Sequence, residues 1–191
     1  MKNVPVIDQI IDLAQSLIQT RGYNAMSYRD LADQIGIKTS SIHYYFPAKE
    51  DLGRAVMAHY RQGIRSALAG IDAKTPDPRV KIERYVGLFR ETVQSGCICL
   101  GGMLATDFTT LPQGVQTEVR NFFAENEAWL ANVLETGRTS GAFTFEGSST
   151  VKAAAVFAAL EGAMIAARLF NDDKRLVSAA DWMLDTLSAP R

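Results

Sequence analysis

Ile7, Ile10, Ile11, Ala14, Leu17 and Ile18 recur at the three-and-four spacing of one helical face, and Gly22 just beyond suits a C-cap, which predicts a first helix over about 5–20. Ser27 stands three before Asp30, a capping box with Asp in place of Glu, ahead of Leu31, Ala32 and Ile35. A short second helix ending near Gly36 follows. Thr39, Ser40 and Ser41 offer capping hydroxyls to a very short third helix that Pro47 stops. From Lys49 to about Gly70 the pattern is amphipathic again, through Leu52, Val56, Ile64 and Leu68, until Lys74-Thr-Pro-Asp-Pro78 breaks it. Further helices are expected near 78–95, 101–107, 113–137, 149–171 and 174–188, with breaks at Leu111-Pro112 and between Gly137 and Gly147. Strand alternation is confined to residues 142–145, too little to pair unaided. The fold class expected is all-α, with about nine helices.

Composition narrows the class. The chain has 191 residues, 47% of them hydrophobic and 21% charged, with only 6 prolines, the profile of a packed chain and not a disordered one. Asp8 and Asp12 interrupt the apolar stretch near the N-terminus, so no secretory leader is expected there. The longest uncharged run, Thr92 to Thr106, has 15 residues, short of the roughly 20 that cross a bilayer, so no membrane partner is expected and a cytoplasmic location is. Cys97 and Cys99 are too close in sequence for an ordinary disulfide, and with only His43 and His59 besides, no structural zinc spacing exists. Neither metal nor cofactor is expected. No phosphate-binding glycine loop and no nucleophile elbow are present, which argues against an enzyme.

Local arrangement says more than bulk charge. The formal net charge is -1, and residues 1–60 carry six basic and six acidic side chains, so nucleic acid is not advertised electrostatically. Two short helices joined by a Gly-containing turn, the second rich in hydroxyl and aromatic side chains, nevertheless form a helix-turn-helix pattern. Leu31, Ala32, Ile35, Ile37 and Ile42 would hold the pair together, leaving Thr39, Ser40, Ser41, His43, Tyr44 and Tyr45 around the outward side.

Residues 23–52, YNAMSYRDLADQIGIKTSSIHYYFPAKEDL, resemble the DNA-binding signature of the TetR family of bacterial transcriptional regulators. The resemblance implies that Ser27 and Arg29 touch backbone and groove and that Lys38, Thr39, Ser40 and Ser41 enter the major groove of an operator. Tyr44, Tyr45 and Lys49 would grip phosphates, and His43 would help choose bases. It also implies a DNA-binding domain over 1–48, a linking helix over 49–70, and a ligand-binding and dimerisation domain over 71–191. A small-molecule inducer and a homodimer come with it. Cys99-Leu-Gly-Gly-Met-Leu-Ala-Thr-Asp107, then Leu111-Pro112, is similar to the stretch opening helix six in one branch of the family.

In the C-terminal part, Phe89, Cys99, Met103, Phe108, Phe122, Phe123, Trp129 and Phe157 supply bulk for an apolar pocket, though aromatic residues at helical spacing also fill ordinary bundle cores. Ala154, Ala158, Gly162 and Ala166 form a small-residue ridge on one helix, suited to a dimer interface or to packing within the subunit. Cys97 and Cys99 keep open a thiol-based redox or electrophile sensor, or a thiol oxidoreductase, as the alternative function.

Overall fold

The computed structural model describes residues 4–187. Among them are nine α-helices and one 3-10 turn: α1 Val6–Arg21, α2 Tyr28–Ile35, α3 Thr39–Tyr45, α4 Lys49–Lys74, α5 Pro78–Gln94, α6 Leu100–Thr106, the turn Phe108–Thr110, α7 Gln113–Thr139, α8 Ser149–Phe170 and α9 Lys174–Leu187. The all-α expectation holds, and no strand forms over 142–145 or elsewhere among the described residues. Phe143 is instead buried, and its N–H donates to the Gly137 carbonyl at 3.0 Å. The expected end of the last helix at 188 lies outside the described residues.

Helix boundaries follow local chemistry. Ser27 caps α2 by accepting from the Asp30 N–H at 3.2 Å, while its hydroxyl, in place of the backbone N–H of a capping box, donates to the Asp30 carboxylate at 2.7 Å. Asp77 caps α5 through the N–H groups of Arg79 and Val80, with Pro78 at the first helical position. Ser148 caps α8, and Asn171, left-handed at φ 48°, ends it.

Two compact units emerge. The first comprises residues 4–63 and Leu100–Phe122, and the second Ile64–Cys99 and residues 123–187. In the first, α1 buries Ile10, Ala14, Leu17 and Ile18 and packs against α6. Glu50 accepts from the Gly114 N–H at the start of α7 at 3.0 Å, Asn24 donates to the Thr110 hydroxyl at 3.0 Å, and Arg61 pairs with Glu118. Gly101 is required by contact: a Cβ there would lie 2.3 Å from the Phe122 ring.

The second unit is built from α5, α8 and α9 with parts of α4 and α7. Ile82, Tyr85, Phe89, Leu130, Leu134, Phe157, Leu160, Leu176 and Leu184 fill its core. Within it Arg65 binds Glu125 and Lys81 binds Asp72 at 2.6 Å. By length and composition α8 is apolar enough to cross a bilayer. Here it is a packed helix, with Ala153, Val156, Phe157, Leu160, Met164 and Ala167 buried among α5 and α9.

Candidate functional site

The α2–α3 turn sets the geometry of the head. Gly36 adopts φ 79° and ψ 33°, a left-handed conformation that disfavours side chains with a Cβ, and the N–H groups of Gly36 and Ile37 both donate to the Ala32 carbonyl, at 2.9 and 3.1 Å. The Schellman-like closure ends α2 abruptly and aims the chain into α3. There Lys38 is the N-cap residue and no side chain caps the helix, so the capping expected from the Thr39, Ser40 and Ser41 hydroxyls is not made. The extended residue is one position earlier, which puts all three hydroxyls inside the first turn.

Ile42 is fully buried, as are Leu31 and Ala32 on the facing helix. That anchorage leaves Lys38, Thr39, Ser40, His43 and Tyr44 exposed on the opposite side of α3, with Ser41 half-buried. Tyr44 is 83% exposed and Tyr45 40% exposed, their rings edge-on at 5.2 Å. A seven-residue helix of this width, studded with hydroxyl, imidazole and phenol groups, suits a duplex major groove, where such groups meet base edges and phosphates.

Not every expected contact residue stands free. Arg29 is exposed beside Asp33, 3.9 Å away. Lys49 is half-buried: its ammonium donates to the Asn24 carbonyl at 3.3 Å and lies 4.7 Å from the centre of the Tyr23 ring, and burial lowers its pKa. In this conformation it braces the head from within. Tyr28, which sequence reasoning passed over, holds the other end of α3. Its hydroxyl lies 2.9 Å from the Phe46 carbonyl and 2.7 Å from that of Ala48, sharing its proton between them, and its ring meets the His43 ring edge-on at 4.8 Å. Those partners lie 18 and 20 residues away, beyond any local pattern.

The pocket candidates fall into two groups. Phe89, Cys99, Phe123, Trp129 and Phe157 lie in the second unit, whereas Met103, Phe108 and Phe122 lie in the first. Phe89 and Phe123 pack edge-on against Phe157 at 6.2 and 5.1 Å, while Tyr85 meets Phe89 at 5.3 Å and Trp129 at 5.2 Å. Trp129 also donates to Asp72 at 2.9 Å, and Phe108 lies under the Arg120 guanidinium. A separate surface groove of about 520 Å³ runs between α4 and α5 past Gly70, Ile71, Gly87 and Leu88, and none of the sequence candidates lines it. Both cysteines are free thiols, Cys97 half-buried and Cys99 buried, the Cys99 N–H meeting Met164 Sδ at 3.0 Å.

Helix α8 has a second apolar face. Ala158 and Gly162 are exposed, Ala154 and Ala166 half-buried, and around them Val151, Ile165, Leu169 and Phe170 stand in solvent. Trp182 on α9 is 67% exposed. A Cβ on Gly162 would touch nothing within 4 Å, so packing inside the subunit does not demand its small size.

The chain is similar to known proteins along most of its length. Residues 10–56 match the family model for bacterial regulatory proteins of the tetR family, and residues 79–183 match that for a tetracyclin repressor-like C-terminal domain. The HTH-type transcriptional repressor KstR2 of Rhodococcus jostii is 25% identical over 142 residues, covering 71% of this chain and 66% of that repressor. A TetR transcriptional regulator from Legionella pneumophila is 35% identical with a TM-score of 0.91, over 98% of this chain and all of that one (100%). A TetR-family regulator from Agrobacterium tumefaciens is 31% identical with a TM-score of 0.93, over 96% and 97% of the two chains.

Proposed function

The chain belongs to the TetR family of bacterial regulatory proteins, and we propose that it is a transcriptional repressor that binds a palindromic operator as a homodimer and is released by a small molecule. One observation carries the DNA reading: α3 is pinned by Ile42 and presents Lys38, Thr39, Ser40, His43 and Tyr44 together on its free side. Lys38 and Arg29 supply the positive charge at that face. With only these cations to displace counterions, one head binds weakly, and a palindrome read by two heads supplies the missing affinity.

Pairing is assigned to α8 and α9. The Ala154, Ala158, Gly162 and Ala166 ridge lets a partner helix approach closely, and Val151, Ile165, Leu169, Phe170 and Trp182 add the apolar area that water disfavours. Small-molecule release follows from linkage: recognition helices must fit half-sites about 34 Å apart, and a ligand that binds better to protomers held at another spacing lowers operator affinity by its differential affinity. The α4 helix carries residues of both compact units, as α7 does, which makes each a covalent route for that coupling. A regulator of this kind acts on its DNA in the cytoplasm and performs no catalysis.

The deciding experiment is binding of the purified protein to the DNA upstream of its own gene and to a scrambled duplex of equal length, across a salt series. The expected result is a preference of about 10³-fold or more, with two protomers per site. Equal, steeply salt-dependent binding to both duplexes, and to sites selected from random DNA, would overturn the reading.

A further inference from the structure

The core of the second unit holds a charged residue that neither the DNA-binding face nor the pairing face uses. Glu161 lies on α8 one turn beyond Phe157, only 7% exposed, and neither oxygen of its carboxylate meets an N–H or O–H donor. The Cys99 thiol beside it is a weak donor. Burial dominates and the thiol only partly opposes it, so the acid is pushed up to about 7. Tyr85 shares the site: its hydroxyl donates to Asn126 Oδ1 at 2.9 Å, and burial, then the negative charges of Cys99, Glu161 and Glu127, push the phenol well above its ordinary value.

The charges that raise the Tyr85 phenol all belong to acidic groups. Gln19, Asn126 and Glu161 are the buried polar residues of the described chain, and no lysine or arginine is among them. Phe157 lies one turn away on the same helix, Tyr85 is near enough for the Glu161 charge to raise its phenol, and Phe89 and Trp129 pack against Tyr85. A core that needed only to be filled would do better with Leu or Met than with an uncompensated acid. Once ionised, a carboxylate with aromatic rings nearby is complementary to one kind of guest, a cation on an apolar body, since both the carboxylate and the ring quadrupoles attract it.

We propose that Glu161 anchors the protonated amine of an otherwise apolar, aromatic ligand, with the Tyr85–Asn126 pair and the surrounding rings holding its body. This rests on the reading of the C-terminal helices as the inducer-binding part of a regulator, and it names the chemistry of that inducer. Glu161 is the charge partner, and the rings set the shape that the ligand must match.

Three probes of one shape test it: 1-naphthylmethylamine, largely protonated at pH 8, the neutral 1-naphthalenemethanol, and the anionic 1-naphthoate, each titrated calorimetrically into the full-length protein. The wild type should bind the amine at least about tenfold more tightly than the alcohol or the acid. Glu161→Gln should erase that preference while leaving the alcohol's affinity unchanged. Glu161→Met, matched in volume and checked for folding by its cooperative melt, should do the same. Equal binding of amine and alcohol by the wild type, a preference that survives both substitutions, or no binding of the amine at its solubility limit would each overturn the assignment. Operator DNA separates this from the reading beneath it. An amine held through Glu161 that leaves the protein on its operator retains the assignment and removes the induction reading, and release by the alcohol or the naphthoate with none by the amine does the reverse.

Discussion

Ser27 and Tyr28 are neighbours at the start of α2 and act on different parts of the head. Ser27 satisfies the first turn of its own helix, so Ser27→Ala should cost about 1 kcal/mol in chemical denaturation. Tyr28 reaches across to the Phe46 and Ala48 carbonyls at the far end of α3, and Tyr28→Phe leaves both without that donor. The expected loss is about 1 kcal/mol of stability, with a fall in operator affinity and no loss of helix content by circular dichroism. On the recognition helix, Tyr44→Ala should weaken binding to all duplexes alike, whereas His43→Ala should change base preference at one position of each half-site. Binding measured on a panel of single-base operator variants separates the two. Equal effects of both changes on every duplex would mean that His43 reads no base.

At the scale of elements, Gly101 and Gly162 make opposite demands. Gly101→Ala sets a Cβ against the Phe122 ring inside the first unit, so the variant should unfold about 1–3 kcal/mol more easily. A Cβ on Gly162 meets nothing within 4 Å, so Gly162→Leu should leave the melting of the protomer unchanged while shifting sedimentation from dimer to monomer. The helices were legible in the sequence because each has its own local signals: the Ile10, Ala14, Leu17 stripe, the Ser27 cap, and Pro78 after Asp77. What the sequence did not show is pairing over long separations. The Glu50 contact with the Gly114 N–H spans 64 residues and the Asn24 contact with Thr110 spans 86, and nothing local marks either. For the same reason the contacts of Lys49 with Asn24 and Tyr23 could not be read from the sequence, being tertiary. Glu161 was hidden by its setting, one acid in an Ala-rich helix, where only the fold reveals that it faces inward.

For the whole molecule, Glu161 gives stability a recognisable dependence on pH. Its acid is raised from 4.5 to about 7 in the folded protein, so the folded state holds a proton that the unfolded chain has already released between those values. Stability is therefore full below about 4.5 and falls as pH rises towards about 7, by on the order of 3 kcal/mol from this group. Glu161→Gln should flatten that part of the curve, which denaturation of both proteins across pH 4–8 will show as a difference that grows with pH. The second apolar face of α8 has a genetic corollary. On the dimeric reading that face selects partners without regard to the state of the head, so a subunit crippled at Tyr44 still pairs with intact ones. Random pairing at equal expression then leaves about a quarter of the dimers with two working heads. A defect in the recognition helix is consequently dominant in a cell that carries both alleles, and a defect in the pairing face is recessive, because its product withdraws and leaves the intact subunits to each other.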